Sequence, residues 1–373
     1  MTAEKSMDEI PITTLVALCG FAAGIVFGAT VQRTNFCTMG ALSDVVFMGD
    51  YNRLRAWVLA IAIAIAGTQI LHMADIVDLS SAIYLTANLG WLGAIVGGLL
   101  FGFGMTLSGG CGNKTLVRLG SGSLKSLIVA MVIGITGYAT LRGILGLARV
   151  QFESATAIDL SQHGLESQSL VEMAAAMLAM ETDTLRPVMV GLIVLGLLAW
   201  CLKSPEFRAS GRDITAGLII GLMIPLSWYI TGNIGNDDFD PVPLSAFTFV
   251  SPTADSVQYL MTFTGSTINF GMSIVGGVRF GSVLAARLSG EFRIESFADS
   301  ADLKRHLSGA FLMGVGGVMA LGCTIGQGVS GMSTLALGSL IALLSLMVGG
   351  YIGLKYLEEG SLAGAVKATF SRA

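Results

Sequence analysis

Nine apolar stretches of roughly 20 residues recur along the chain, at 12–31, 55–74, 90–107, 124–147, 187–202, 213–232, 265–286, 307–322 and 333–354. A stretch of that length is what an α-helix needs to cross the hydrocarbon of a bilayer. The runs are continuous rather than alternating, which excludes a transmembrane β-barrel. Composition agrees: 53% of residues are hydrophobic, 12% are charged and the mean hydropathy is +0.75. A soluble domain carries about twice that charge. A disordered chain, a nucleic-acid binder and an ordinary soluble enzyme are therefore excluded, and the expected fold is an all-α polytopic membrane protein. The 49 glycines fit close helix packing and broken helices in lipid.

The charges alternate from loop to loop. Arg33, Arg53 and Arg55 share one connection, Lys114, Arg118 and Lys125 a second, and Lys203, Arg208 and Arg212 a third. Arg287, Arg293, Lys304 and Arg305 follow, then a tail with Lys355, Lys367 and Arg372. The intervening loops are acidic: 75–89 holds Asp75 and Asp78 without a base, and 233–264 holds Asp237, Asp238, Asp240 and Asp255 without one. The longest, 148–186, sets six acids against Arg149 and Arg186. The positive-inside rule places the basic loops in the cytoplasm, the N-terminus outside and the C-terminus inside, as an odd number of spans requires. No A-x-A site precedes Val31, so the first apolar run reads as a retained span.

Two segments repeat one another. Cys111 has glycines at minus nine, minus seven and minus one (Gly102, Gly104, Gly110), and Cys323 has them at the same offsets (Gly314, Gly316, Gly322). Cys37 shares the first, Gly28, and Gly277-Val-Arg-Phe-Gly281 copies Gly24-Ile-Val-Phe-Gly28. Such spacing alone is ordinary helix packing in lipid. The run of matches reads as an internal duplication: an N-terminal repeat over about 12–147, an acidic extracytoplasmic loop at 148–186 and a C-terminal repeat over about 187–354, all in one transport domain. Cys111 follows an outward-to-inward span and Cys323 an inward-to-outward one, the relation that an inverted repeat produces around a midplane site.

After each of these cysteines the chain turns polar and glycine-rich, as Cys111-Gly112-Asn113-Lys114-Thr115 and as Cys323-Thr324-Ile325-Gly326-Gln327-Gly328. Irregular backbone at membrane depth is tolerated only inside protein or along a cavity, so broken or re-entrant helices are expected, with free N–H groups and positive dipole ends that suit an anion. The path for that anion is read onto Arg33, Gly110, Gly112, Asn113, Lys114, Gly322, Thr324 and Gln327. Arg142 and Arg279, placed inside spans, are further candidates, with snorkelling to the interface as the alternative. A dianion in the bilayer faces a penalty on the order of 20 kcal/mol per charge, which such groups must offset.

The five cysteines form no CxxC, and only three histidines exist, which argues against disulfides, zinc and any other cofactor. Cys19 and Cys201 lack a motif and read as small buried hydrophobes. Cys37, Cys111 and Cys323 lie beside helix breaks, where a soft thiol matches the polarizable sulfur of a sulfur oxyanion.

Five ordered segments carry a resemblance: Gln32-Arg33-Thr34-Asn35-Phe36-Cys37; Leu107 to Thr115 with Arg118-Leu119-Gly120; Ser251-Pro252-Thr253-Ala254; Phe280 to Ala286 with Glu291-Phe292-Arg293; and Gly322-Cys323-Thr324-Ile325-Gly326-Gln327-Gly328. Together they resemble the YeeE/YedE family of sulfur-transport permeases, from about residue 20 to 354, with 148–186 the least family-like part. The resemblance implies an inner-membrane thiosulfate uptake protein with an hourglass-like helical body. It also implies that three cysteines, here Cys323, Cys111 and Cys37, hand the ion inward through S–H···S hydrogen bonds. A cytoplasmic TusA-like sulfurtransferase is the partner it implies, as a separate chain. Lys114 and Thr115 stand where relatives vary, which leaves selectivity open, and another sulfur or selenium species is the first alternative. The second alternative is a membrane-embedded thiol enzyme, which needs a close dithiol or a thiol with a neighbouring base. No CxxC or adjacent histidine marks one, and no Walker A motif supports ATP hydrolysis, so a transporter and not an enzyme is expected.

Overall fold

The computed structural model describes residues 11–237 and 241–371. The chain starts with α1 (Ile12–Thr34), α2 (Thr38–Ser43) and α3 (Asn52–Met73), then α4 (Trp91–Leu107), α5 (Gly112–Gly120) and α6 (Leu124–Leu141). Next come α7 (Ile144–Thr156), α8 (Leu170–Leu178), α9 (Thr182–Leu202), α10 (Pro205–Ala209) and α11 (Gly211–Tyr229). The chain ends with α12 (Val250–Met261), α13 (Phe270–Leu288), α14 (Ser300–Met319), a π-helical turn (Gly326–Gly331), α15 (Leu337–Glu359) and α16 (Leu362–Ser371). Each expected span coincides with a long helix. Seven helical stretches among the described residues are long and apolar enough to cross a membrane unaided. The protein is a multi-pass, all-α membrane protein.

Helix pairing follows the small residues. Gly24 and Gly28 of α1 lie against the backbone of α13 at Ile274 and Val278, while Gly277 and Gly281 of α13 lie against Phe21 and Ile25 of α1. Gly217 and Gly221 of α11 meet Ala56 and Ala60 of α3 in the same way. Gly102 of α4 abuts Leu346 of α15, Gly314 of α14 abuts Thr136 of α6, and α4 meets α14 through Gly97, Gly104, Gly309 and Gly316. A side chain at any of these would overlap a facing backbone or side chain, so each helix pair is held at a distance only glycine permits. The likeness of Gly24–Gly28 to Gly277–Gly281 thus has a packing cause: the two stretches are each other's partners.

Polar contacts gather the connections into two groups. The basic end of the bundle carries Arg53 on Asp44 (3.2 Å) and Lys125 on Asp302 (2.7 Å). At the acidic end Asn88 and Leu89 pair antiparallel with Asp159 and Ile158 as the short strands β1 (Asn88–Leu89) and β2 (Ile158–Asp159). The 148–186 segment is more ordered than a loop. It contains most of α7, β2 and α8, and Gln168 fastens it by accepting from Gly338 N–H (3.1 Å) and donating to the Thr86 carbonyl (3.1 Å). The expected fourth span also ends early, because Arg142 caps α6 and Gly143 starts a separate helix.

Candidate functional site

Three short helical segments begin at a cysteine. Cys37 precedes α2, Cys111 precedes α5, and Cys323 precedes the turn that opens at Thr324. In each case the residue two positions earlier has a left-handed backbone: Asn35 (φ 55°), Gly109 (φ 67°) and Leu321 (φ 55°). A residue at positive φ ends the incoming helix, an extended cysteine reverses the chain, and a new helix starts at once. Leucine tolerates that conformation at a cost of about 1 kcal/mol, so the turn at Leu321 is held by its surroundings. The cysteine sulfur faces the amide three residues on, Gly40, Lys114 or Gly326, and the last donates to Cys323 Sγ at 3.4 Å. That position normally carries Ser, Thr, Asp or Asn, whose oxygen satisfies a free N–H of the first turn. A sulfur does so weakly, and at α5 the side chain of Asn113 takes the Lys114 N–H instead.

The three starts converge. Cys37 Sγ and Cys111 Sγ are 4.0 Å apart, a proximity that no CxxC signals in the sequence. Cys37, Cys111 and Cys323 are all buried. The Cys111 thiol donates to Asn113 Oδ1 (2.6 Å), which also accepts from Lys114 N–H (2.7 Å). Thr324 Oγ1 sits beside Cys111, and Phe249 at the start of α12 lies against both cysteine-led turns, at Gly112 and at Cys323. Around this point four buried polar atoms have no partner among the described residues: Thr38 Oγ1, Asn113 Nδ2, Thr324 Oγ1 and Gln327 Oε1. Buried polar groups are nearly always satisfied, so these four atoms mark the turns as a candidate binding site.

A cavity opens on each side. Toward the basic end a space of about 410 Å³ is lined by Gln32, Asn35, Lys114, Arg118, Glu291 and Arg293 among others. Toward the acidic end a narrow space of about 30 Å³ is lined by Tyr84, Gln168, Ala320, Gln327 and Ser339 among others. Tyr84 is within electrostatic reach of Cys323, and Lys114 within reach of Cys37 and Cys111. Among the described residues no cluster of His, Cys, Asp and Glu is placed to hold a metal ion.

Of the residues read as an anion path, Gly110, Gly112, Asn113, Lys114, Gly322, Thr324 and Gln327 are buried around these turns. Arg33 is not with them. It is exposed, one position out of phase with Gln32, which faces the cavity instead and donates to Glu291 (3.0 Å). Arg142 and Arg279 are exposed as well, at the end of α6 and on the outer face of α13. Asn35, Thr38 and Phe249 join the site without having been singled out. The signal for the first two was adjacency to Cys37, whereas nothing local marks Phe249.

Comparison with known proteins finds relatives that are named transporters. The chain is 27% identical to the "Thiosulfate transporter TsuA" of Escherichia coli (strain K12) over 333 residues, 84% of this chain and 86% of that one. It is 26% identical over 344 residues to the "Thiosulfate transporter TsuA" of Spirochaeta thermophila, covering 89% of this chain and 96% of the other. A shorter similarity, 31% over 117 residues, covers 30% of this chain and 27% of the "Probable transporter YedE" of Salmonella typhimurium. Residues 33–352 match the family described as Sulphur transport, which takes in all three cysteine-led turns, and the chain belongs to that family.

Proposed function

We propose that the protein takes up thiosulfate across a bacterial inner membrane, passing it inward from Cys323 to Cys111 and Cys37. The observation that carries this reading is the convergence of three helix starts, each led by a buried cysteine, on a cluster of buried polar atoms without partners. Free N–H groups and the positive ends of helix dipoles stabilise an anion where water is excluded. A thiol adds a weak donor that is well matched to a soft terminal sulfur. The two relatives matched over most of their length are named thiosulfate transporters, which supports thiosulfate as the ion.

The two halves act as inverted repeats. α1 pairs with α13 as α11 pairs with α3, and α4 with α15 as α14 with α6, so exchanging the halves maps the packing onto itself. α9 has no counterpart in this exchange. The basic end faces the cytoplasm by the charge rule, and a separate cytoplasmic TusA-like sulfurtransferase takes the delivered sulfur there.

The test is radiolabelled thiosulfate uptake into proteoliposomes, with sulfate and selenite as competitors. Uptake that needs Cys111 and ignores sulfate supports the reading, whereas no uptake by the unmodified chain overturns it. The 4.0 Å approach of Cys37 and Cys111 favours one second reading, a thiol redox centre. That reading requires turnover between a thiol reductant and a disulfide oxidant in detergent, without a membrane gradient.

A further inference from the structure

Lys114 is in an unfavourable place three times over. Its side chain is buried, the residue being 7% exposed, and among the described residues no carboxylate lies within ion-pair distance of it. It sits in the first turn of α5, where the helix dipole repels a cation. It precedes Arg118 by four residues, so two like charges share one face of a short helix, which is again destabilising. Its side chain makes one hydrogen bond, from Nζ to Asn35 Oδ1 (2.8 Å), a neutral acceptor on a left-handed residue.

Both cations line the basic-end cavity. Of the three acids that line it, two have partners, and Glu295 is an exposed residue joined to Gly122 and Leu124 through its backbone. Asp302 is held by Lys125 (2.7 Å), Arg305 (3.0 Å) and His306 (3.1 Å), and Glu291 accepts from Gln32. Arg118 Nη1 donates to the Gly109 carbonyl (2.8 Å), so it is anchored on the turn that presents Cys111. The Asn35–Lys114 bond therefore joins the same two turns that the Cys37–Cys111 contact joins, but at the cavity wall.

We infer that Lys114 and Arg118 form a second anion site, separate from the thiols, that takes a tetrahedral divalent oxyanion at the inner wall of the cavity, Asn35 giving up Lys114 when the anion arrives. A dianion there offsets the burial of Lys114, its repulsion by the helix dipole and its repulsion by Arg118 together. Selection is by charge and shape, without sulfur-specific contacts, so sulfate binds here whether or not it is carried. The inference rests on the transport reading for its role, as the exit step, while its test does not depend on transport.

The experiment is equilibrium binding of radiolabelled sulfate to the full chain purified in detergent at low ionic strength. The unmodified protein and Cys111→Ala are expected to bind alike, since sulfate does not need the thiol. Lys114→Met is expected to weaken binding at least tenfold, Arg118→Gln severalfold, and Lys114→Arg to restore it, with size-exclusion profiles confirming that each variant is folded. Added chloride weakens binding to the unmodified chain, as for any charge-selected site. Absence of sulfate binding in the unmodified protein overturns the inference, as does undiminished binding by Lys114→Met, or loss of binding in folded Cys111→Ala. A chain that binds sulfate through Lys114 yet takes up no thiosulfate refutes the substrate reading alone.

Discussion

Replacing Cys111 by alanine removes one sulfur from the point where the cysteine-led turns meet, and the structure separates its effect on folding from its effect on transport. In the fold, the thiol gives one hydrogen bond, to Asn113 Oδ1 at 2.6 Å, and fills a small buried volume. A neutral hydrogen bond contributes about 1 kcal/mol net, and Asn113 Oδ1 keeps its second donor, the Lys114 N–H. With the small cavity added, destabilisation of about 1–2 kcal/mol is expected, a fall of a few degrees in Tm. For a passing anion the thiol is worth more, because a hydrogen bond to a charged group contributes about 1.5–3 kcal/mol. Raising the barrier by that amount slows uptake by about 10- to 150-fold. The companion variant Cys111→Ser supplies a better helix cap, so its Tm should equal or exceed that of the unmodified chain while uptake stays depressed. The assay is the initial rate of thiosulfate uptake in proteoliposomes, normalised to folded reconstituted protein. Uptake within twofold of the unmodified rate in folded Cys111→Ala would refute the reasoning. Full uptake by Cys111→Ser would leave only a generic donor at this position, with no part for a soft sulfur.

Arg33→Ala should leave uptake within twofold, because the side chain is exposed and its neighbour Gln32 faces the cavity; a large loss would return Arg33 to the path. Leu321→Gly relieves a left-handed leucine at the turn before Cys323, and should raise Tm by a small amount, worth a few tenths to about 1 kcal/mol after glycine's own entropy cost. Gly28→Ala would drive a methyl group into the Val278 carbonyl across the α1–α13 contact, costing about 1–3 kcal/mol and lowering Tm, whereas Gly191→Ala, with open space around it, should be neutral or slightly stabilising. Gln168→Ala cuts two side-chain hydrogen bonds that fasten the acidic-end segment, to Gly338 of α15 and to Thr86, and should speed limited proteolysis within 157–170 without changing the Tm of the bundle by more than about a degree.

The class of protein, its nine long helices and the two charged ends were readable from the chain alone. Each depends on local properties: apolar length against bilayer thickness, and the count of bases in each loop. The cysteines at the helix breaks were readable too, since glycine and polar residues at membrane depth mean backbone that is enclosed by protein or lines a cavity. What stayed hidden were relations between residues far apart in sequence. Arg33 and Gln32 are adjacent in the chain, yet helix rotation sends one outward and the other to the cavity. Leu321 carries the same left-handed turn as Asn35 and Gly109, and while glycine and asparagine suit that conformation a leucine does not announce it. The 4.0 Å between Cys37 and Cys111, 74 positions apart, exists only because the turns after α1 and α4 are packed together in the folded chain. Glycine contacts set how closely the helices approach, and that approach decides which side chains meet. An amphipathic or apolar pattern specifies that a helix is buried, but its partner and its rotation are fixed only when all the helices pack together.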